Sequence, residues 1–230
     1  MGKNLIQQAR GKGSPTYRAP SHRYVVDVRY SRFSSAIVKG TVLDILHCPG
    51  HSGPLAKISY DNGDTVFLMA PEGLRVGDSI QTGEKTEIQL GNTTQLKDIP
   101  EGTAVYNIES TPGDGGKFVR ASGVFARVLS QLKEGVVVLL PSKKKKIFNK
   151  NCRASIGVIA GGGRKEKPFG KAGKRHFAMR AKNKLYPIVS GSAQNAVDHP
   201  FGNKRTSRKS KARPVARGTP PGRKVGMLYA

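Results

Sequence analysis

Residues Leu55-Ala-Lys-Ile-Ser-Tyr-Asp-Asn-Gly-Asp-Thr-Val-Phe-Leu-Met-Ala70 contain two short apolar runs on either side of a turn sequence. The central Asn62-Gly63 pair is a strong hairpin signal, because both residue types tolerate the positive φ angles of a tight turn. Short runs that are rich in β-branched and aromatic side chains are typical of strands. This stretch therefore predicts an antiparallel β-hairpin.

Further short runs lie on both sides of the hairpin. Residues 36–46 form one before it, and turn residues follow at 71–73, 76–78 and 91–92. After them the strand-like runs are residues 103–108, 118–121, 123–129, 136–140 and 156–160, with Gly-rich connections at 112–116 and 133–135. Closely spaced strands with such turns favour small antiparallel barrels, of which an OB-like barrel is a natural candidate for the first.

These patterns predict a mainly β chain with two small barrels in tandem and long basic extensions at both ends. The predicted segments are a basic N-terminal extension at residues 1–34, a first barrel at 35–90, a second barrel at 91–180 and a basic C-terminal extension at 181–230. Beyond residue 160 the periodicity disappears. One short helix over residues 171–182 is predicted, although Gly173 weakens it.

Charge divides the chain unevenly. The formal net charge is +25 at pH 7, and residues 161–230 hold eighteen Lys or Arg against two acids, Glu166 and Asp198. Residues 35–142 instead hold nine basic and twelve acidic residues. The basic end segment cannot bury enough apolar surface to offset the entropy of ordering it, so its order requires a densely anionic partner.

The sequence favours a cytoplasmic protein without a membrane partner. The longest apolar run, residues 136–140, is far shorter than the roughly 20 residues of a spanning helix, and Met1 is followed by polar residues where a signal peptide would be apolar. Cys48 and Cys152 are far apart and unpaired in any Cys-x-x-Cys motif, which fits a reducing compartment.

Arginines and aromatic residues alternate in the N-terminal extension. Tyr17, Tyr24, Tyr30 and Phe33 lie among Arg10, Arg18, Arg23, Arg29 and Arg32. Such tyrosines can stack on bases while guanidinium groups hold phosphates, or they can pin the arm onto its own domain. The residues alone leave both roles open.

Two further segments suggest phosphate contacts. Lys143, Lys144, Lys145 and Lys146 follow a predicted strand, and in so basic a chain a phosphate-contacting loop is favoured over a solvated hairpin loop. Gly161, Gly162 and Gly163 permit close approach to a sugar-phosphate chain beside Arg164, although a flexible linker has the same composition.

Three motifs are weighed as chemical sites and set aside. Pro112-Gly-Asp-Gly-Gly-Lys117 lacks the outer residues of a phosphate-binding loop, so we interpret it as a β-turn whose glycines let backbone approach RNA. His47-Cys-Pro-Gly-His51 offers three donors, too few for a structural zinc site. Asp198-His199 with Ser190 or Ser192 supplies the residue types of a hydrolase triad, but sequence neighbours rarely form one. We expect no enzyme, cofactor or metal.

The sequence resembles the family of the universal second protein of the large ribosomal subunit, in its archaeal form. The shared motifs keep one order over nearly the whole chain: His47-x-Pro-Gly50 with Pro54-Leu-Ala56, Ala70-Pro-Glu-Gly-Leu74 with Val76-Gly-Asp78, Pro112-Gly-Asp-Gly-Gly116 with Val119-Arg-Ala121 and Gly123, Asn151-Cys-Arg153, Ile156-Gly-Val158 with Ala160-Gly-Gly-Gly-Arg-Lys-Glu-Lys-Pro168, Lys171-Ala-Gly-Lys174, Asn195 with Val197-Asp-His-Pro-Phe-Gly202, and Pro220-Pro-Gly-Arg-Lys-Val-Gly226.

The resemblance implies an OB-fold, then an SH3-like barrel, then basic extensions threaded into large-subunit rRNA. It also implies neighbouring ribosomal proteins as partners, a position near the peptidyl-transferase region, and a part in subunit association and tRNA placement. The predicted rRNA-binding residues are Arg10, Arg18, Arg23, Lys143, Lys144, Lys145, Lys146, Arg153, Gly161, Gly162, Gly163, Arg164, Lys165, Lys167, Lys171, Lys174, Arg175, Asn195, Asp198, His199, Arg223 and Lys224.

The loop around Asp198 departs from the family pattern. Ser190-Gly-Ser-Ala-Gln-Asn195 replaces the usual Arg-Gly-Val-Ala-Met-Asn, and Asn203-Lys204 replaces two glycines. Two other functions stay open on the residues themselves: a free nucleic-acid-binding translation or transcription factor built from the same barrels, and a hydrolase that uses His199.

Overall fold

A computed structural model describes residues 3–31, 36–203 and 213–229. The chain divides into two compact units, one within residues 1–20 and 169–230 and the other comprising residues 21–168. The predicted Arg32, Phe33 and Lys204 and the basic residues of 205–211 lie outside the described residues.

The fold is mainly β, as predicted, and the described strands belong to residues 21–168. They are β1 Val38–Leu46, β2 Leu55–Tyr60, β3 Thr65–Met69, β4 Ser79–Thr82, β5 Thr93–Gln95, β6 Ala104–Tyr106, β7 Ala126–Gln131, β8 Val136–Leu139, β9 Lys145–Phe148 and β10 Arg153–Ile156. They form one sheet in the order β3-β2-β1-β4-β5-β10-β6-β7-β8-β9. β10 therefore lies between β5 and β6, although it comes last in the chain.

The hairpin predicted from the Asn-Gly pair is present. β2 and β3 pair antiparallel, with Ser59 opposite Thr65. Gly63 takes a φ of 84°, which suits a residue without Cβ. Asn62 contributes through its side chain instead, because its Oδ1 accepts a hydrogen bond from the Asp64 amide at 3.0 Å.

Each half of the sheet encloses its own apolar core. The first contains Tyr30, Val42, Ala56, Ile58, Tyr60, Leu68, Ala70 and Ile80, and the second contains Leu96, Ile99, Val105, Ile108, Ala126, Val128, Val136, Val138, Phe148, Cys152 and Ala154. A third cluster of Val28, Cys48, Leu55, Met69, Tyr106 and Ile159 draws residues from both halves. The third cluster joins the two barrels through buried apolar contacts.

Two strand predictions were wrong in detail, and the strands β4, β5 and β9 were not predicted. Residues 118–121 make only a single bridge between Phe118 and Ile108, because Val119 has a φ of 55° and leaves the extended conformation. Residues 157–160 follow β10 rather than form it, since Gly157 at a φ of 124° ends the strand. Residues 145–148 form a strand that the lysine run concealed.

The described residues of the other unit include two α-helices, α1 Ile6–Gly11 and α2 Ala172–Arg180. α2 confirms the predicted short helix, and Gly173 lies in its first turn. The described side chains of α2 are exposed or half-buried, so this helix lacks the apolar burial that stabilises most protein helices.

Candidate nucleic-acid interface

A cleft opens between the two barrels within residues 21–168. It has a volume of about 450 Å³ and is lined by Tyr24, Asp27, Val28, Arg29, Gly50, His51, Ser52, Met69, Asp114, Gly116, Lys117, Arg120 and Ala121. This volume falls within the roughly 300–1,000 Å³ of typical ligand sites. We call it the inter-barrel cleft.

One wall of the inter-barrel cleft is residues 24–31, which we call the strap. Val28 and Tyr30 are buried while Asp27 and Arg29 are exposed, the alternation of an extended chain lying on a core. The Val25 amide donates to the Cys48 thiol sulfur at 3.4 Å. The strap is therefore held at its start by the first barrel.

Aromatic rings line the cleft where the strap meets the first barrel. The Tyr24 ring lies against the backbone of Gly50 so closely that a Cβ there would come within 2.4 Å of it. The Tyr24 and His51 rings meet edge to face, with centroids 4.9 Å apart. Because aromatic faces are sequence-tolerant stacking platforms for bases, this corner suits an unpaired nucleobase.

Polar contacts fix the His51 ring. Its Nδ1 lies 3.0 Å from the Cys48 sulfur. Burial, assisted by the charge of Arg120, lowers the pKa of His51 below its usual value, so the ring is neutral at pH 7. The Cys48 thiol loses water by burial, which raises its pKa, but hydrogen bonds from the backbone amides of Val25, Gly50 and His51 lower it overall.

Basic side chains line the other wall. Lys117 is exposed, and the half-buried Arg120 donates to the carbonyls of Gly116 at 2.9 Å and of Val28 at 3.1 Å. Asp114 also lines the cleft, but its carboxylate accepts hydrogen bonds from the amides of Ser110, Thr111 and Gly116. Lys117 and Arg29 are exposed cations that line the cleft, and the Arg29 guanidinium lies 3.6 Å from the carboxylate of the exposed Asp27.

Sequence reasoning found only part of this cleft. The alternation of tyrosine and arginine in the N-terminal extension pointed to Tyr24 and Arg29, and the Gly-rich turn pointed to the loop of residues 112–117. His51, Lys117 and Arg120 were missed as residues that line the cleft. Their sequence signal is weak, because three separate segments must fold together before they become neighbours.

Arg153 does not belong to an exposed RNA-binding surface, which corrects its prediction as an rRNA contact. Its side chain is 5% exposed and its Nη2 lies 2.9 Å from the Glu109 carboxylate, which is fully buried. Its Nη1 donates to the Ser31 carbonyl at 2.8 Å. The guanidinium therefore binds protein groups inside the fold.

The lysine run divides between a turn and a strand. Lys143, with a φ of 63°, and Lys144 lie in the turn between β8 and β9, whereas Lys145 and Lys146 are in β9, opposite Leu139 and Val138. β9 lies at the edge of the sheet, where lysines discourage pairing with another chain. The interpretation of all four as a loop was therefore wrong for two of them.

Lys146 has a packing role that Lys143 and Lys144 lack. Its Nζ lies 4.0 Å from the centroid of the Phe118 ring and 5.1 Å from that of Phe148. A cation over an exposed aromatic face contributes about 0.5–1 kcal/mol. The run thus combines solvent-exposed charge with one side chain that covers the second core.

Changing the lysines in pairs separates these roles. We expect the Lys145→Ala/Lys146→Ala variant to lose about 1 kcal/mol of unfolding free energy, and the Lys143→Ala/Lys144→Ala variant to stay within about 0.5 kcal/mol of the unchanged protein. Both remove two positive charges, so both are expected to weaken RNA binding without unfolding the barrels. Urea unfolding and filter binding measure the two effects, and equal stability losses would contradict the role of Lys146.

Part of the glycine run packs on protein rather than facing outward freely. A Cβ at Gly123 would come within 2.5 Å of the Gly162 Cα, and the Arg164 Nε donates to the Ser122 hydroxyl at 2.8 Å. The side of this segment away from the barrel is exposed. All of residues 161–167 are exposed, so Gly161, Gly162, Gly163, Arg164, Lys165 and Lys167 remain predicted RNA contacts.

The other unit presents a second set of predicted residues. Its predicted members are Arg10 in α1, Arg18, Lys171, Lys174 and Arg175 at α2, Asn195, Asp198, His199, Arg223 and Lys224. The basic side chains among them are exposed. The remaining predicted residue, Arg23, is exposed in a one-turn 3-10 helix of residues 21–168.

The loop around Asp198 and His199 is held by contacts within its own unit. The Lys3 ammonium lies 2.6 Å from the Asp198 carboxylate, and the Asn195 carbonyl accepts hydrogen bonds from the amides of Asp198 and His199, each at 3.0 Å. The His199 ring lies on Gly191, where a Cβ would come within 2.3 Å of it. Its Nδ1 accepts a hydrogen bond from the Phe201 amide at 3.1 Å.

In these contacts the Asp198 carboxylate and the His199 ring hold the loop together. The contacts do not have the geometry of a hydrolase triad. Asp198 faces a lysine, and one His199 nitrogen is occupied by a backbone amide. Across the described ranges, no group of three or more potential metal ligands is present. Nor does any described helix combine the length and apolarity needed to span a membrane.

Two family models match the chain. The model described as "Ribosomal Proteins L2, RNA binding N-terminal domain" matches residues 7–82, and the model described as "Ribosomal Proteins L2, C-terminal domain" matches residues 89–219. Together they cover both barrels and much of the basic C-terminal segment.

Full-length relatives show the same similarity. A protein of Archaeoglobus fulgidus named large ribosomal subunit protein uL2 is 52% identical over 230 residues, covering 100% of this chain and 97% of the relative. Proteins of the same name are 49% identical in Methanococcus aeolicus, covering 100% of this chain and 98% of the relative, and 49% identical in Haloarcula marismortui, covering 98% and 95%.

Proposed function

This chain belongs to the L2 family of large-subunit ribosomal proteins, and from that premise we propose that it binds large-subunit rRNA through its inter-barrel cleft and its basic end segments. As a family member it is a structural constituent of the large ribosomal subunit, and its two barrels are the OB-fold and SH3-like domains of that family. We retain the predicted domain boundaries after residues 34, 90 and 180 as part of this proposal.

The observation that carries the proposal is the composition of the inter-barrel cleft. The aromatic rings of Tyr24 and His51, which meet edge to face, line the cleft together with the exposed cations Arg29 and Lys117. Stacking surfaces beside phosphate-binding cations are the features by which proteins hold unpaired nucleotides. The pair of walls therefore suits one or two nucleotides of a single-stranded rRNA segment.

The basic end segments supply the remaining affinity. Eighteen Lys or Arg in residues 161–230 form a phosphate-binding extension, and backbone phosphate contacts position a protein without reading sequence. We place neighbouring ribosomal proteins and the small subunit, at an intersubunit bridge, among its partners. By the family resemblance, the loop of Asp198 and His199 lies near the peptidyl-transferase region and supports tRNA placement in the cytoplasmic ribosome.

Removing the exposed cations of the cleft tests its contact with RNA. The slope of log affinity against log salt is negative, and we expect the full-length Arg29→Ala/Lys117→Ala variant to make it less steep by about 1.4, because each lost single-strand phosphate contact removes roughly 0.7 from its magnitude. Filter binding to a large-subunit rRNA fragment over a salt series measures the slope. Circular dichroism checks that the barrels remain folded.

A charge-matched variant provides the control. Lys85 and Lys133 are exposed in the same unit and lie outside the inter-barrel cleft, so the Lys85→Ala/Lys133→Ala variant removes equal charge elsewhere. If both variants change the slope equally, the effect belongs to net charge and RNA does not enter the cleft.

A further inference from the structure

We propose that the buried Glu109–Arg153 pair positions both walls of the inter-barrel cleft and thereby sets its affinity for RNA. The inference rests on the proposed function, because the cleft must bind RNA for its geometry to affect affinity. Neither residue lines the cleft, so both act through the segments that they hold.

The pair is fully enclosed and joined by several hydrogen bonds. Glu109 is 0% and Arg153 4% exposed. The Glu109 Oε1 accepts from the Arg153 Nε at 3.1 Å and Nη2 at 2.9 Å, while Oε2 accepts from the Arg153 amide at 2.8 Å. Two guanidinium N–H groups that converge on one carboxylate oxygen fix the direction of the planar guanidinium.

Glu109 reaches the loop wall of the cleft. Besides Arg153, its Oε1 accepts a hydrogen bond from the Gly115 amide at 3.3 Å. Gly115 is buried and adjoins Gly116 and Lys117, which line the cleft. The carboxylate therefore ties the loop of residues 112–117 to the interior of the second barrel.

Arg153 reaches the strap wall of the cleft. Its Nη1 donates to the Ser31 carbonyl at 2.8 Å, and its guanidinium carbon lies 5.0 Å from the centroid of the Tyr30 ring. The Tyr30 hydroxyl donates to the Asn107 carbonyl at 2.7 Å and lies 2.9 Å from the Ser155 hydroxyl. One guanidinium thus anchors the end of the strap that follows Arg29.

The two walls also meet each other above the pair. A Cβ at Gly115 would lie 3.1 Å from the Arg29 Cβ, so the loop fits closely against the strap. A shift of either wall changes the separation of the exposed cations Arg29 and Lys117. Their spacing is therefore coupled to the buried pair beneath them.

The Glu109–Arg153 pair is not explained by its contribution to the free energy of unfolding. Removing two charges from water is costly, and well-packed apolar replacements of buried pairs are often neutral or stabilising. An apolar pair, however, cannot bond at once to the Gly115 amide and the Ser31 carbonyl. Directional bonding to both walls is what Glu109 and Arg153 provide and apolar side chains do not.

Two variants separate positioning from folding. Arg153→Lys keeps a positive charge beside Glu109 but lacks the planar fork that reaches Glu109 and Ser31 together. Glu109→Gln/Arg153→Met removes both charges and leaves no buried ion unpaired. The matched control is Glu84→Gln/Lys97→Met, which also replaces an acid by Gln and a basic residue by Met, in a half-exposed pair 3.7 Å apart. Net charge is the same in both double variants.

Hydrogen exchange of the full-length protein without RNA measures how well the backbone amides of the two walls are protected. We expect amides of residues 24–31 and 112–117 to exchange about tenfold faster in Arg153→Lys and in Glu109→Gln/Arg153→Met. The reason is that each variant loses a hydrogen bond to a charged group. The β2–β3 hairpin is expected to keep its protection. Affinity for the rRNA fragment is expected to fall about tenfold, with the control unchanged in both measurements.

The possible outcomes are distinct. Unchanged exchange in both walls of Arg153→Lys and of the double variant overturns the positioning role, as does a uniform rise that includes the hairpin. Faster exchange with unchanged RNA affinity overturns the link to binding. The proposed function fails if Arg29→Ala/Lys117→Ala changes the salt dependence no more than its control variant does. Exchange in the free protein is a separate test, because it measures the two walls without RNA. If the double variant does not fold, Arg153→Lys alone decides.

Discussion

Arg153→Met alone is expected to lower the unfolding free energy by about 3–5 kcal/mol, the cost of leaving a buried charge without its partner. Glu109 is fully buried, and Arg153 supplies its side-chain ion pair. Urea unfolding of the full-length chain, followed by circular dichroism of the β-sheet signal, measures the loss.

Lys97→Met provides the comparison for Arg153→Met. It breaks the half-exposed pair with Glu84, and exposed pairs contribute only about 0–1 kcal/mol. A loss for Arg153→Met that is no larger than that for Lys97→Met would show that the environment of Glu109 compensates its charge. The difference between the two losses isolates the effect of burial.

Gly123→Ala is expected to cost about 2–4 kcal/mol, from the strain of a positive φ and from a forced backbone shift. Gly123 has a φ of 69°, and its added Cβ would come within 2.5 Å of the Gly162 Cα. Backbone atoms cannot rotate away as a flexible side chain does. The segment of residues 161–163 must therefore move from Ser122 and the barrel surface.

Gly113→Ala is the matched control for this substitution. Gly113 has a φ of 86° but nothing lies within 4 Å of an added Cβ, so only the conformational cost of about 1 kcal/mol applies. Urea midpoints of the two variants measure the difference. Equal losses would show that the contact of Gly123 with Gly162 contributes little.

Local patterns predicted the elements that depend on neighbours in sequence. The hairpin at Asn62-Gly63 was predictable because turn and strands lie within sixteen residues, 55–70. The sequence predicted a strand at residues 156–160, whereas β10 is Arg153–Ile156. The prediction missed the start of β10 because Arg153 and Ser155 are buried polar residues. Hydrophobic alternation carries no signal for a buried strand whose side chains are satisfied by tertiary hydrogen bonds.

The candidate site was predictable to a smaller degree for a related reason. The family resemblance predicted Arg153 as an rRNA contact, yet Glu109, 44 positions away, binds its side chain within the fold. Nothing near Arg153 in the sequence indicates that partner. The role of Lys117 likewise depends on the strap, and the whole first barrel separates the two in the sequence.

The anchoring of the strap also affects the order in which a nascent chain can fold. The Tyr30 hydroxyl meets Ser155, a separation of 125 positions, and the Ser31 carbonyl meets Arg153 across 122. At synthesis rates of about 5–20 residues per second, Ser155 is translated roughly 6–25 seconds after Tyr30. The proposed RNA-binding cleft is therefore completed late in translation, and an interrupted chain that ends before β10 lacks the partners that anchor its strap.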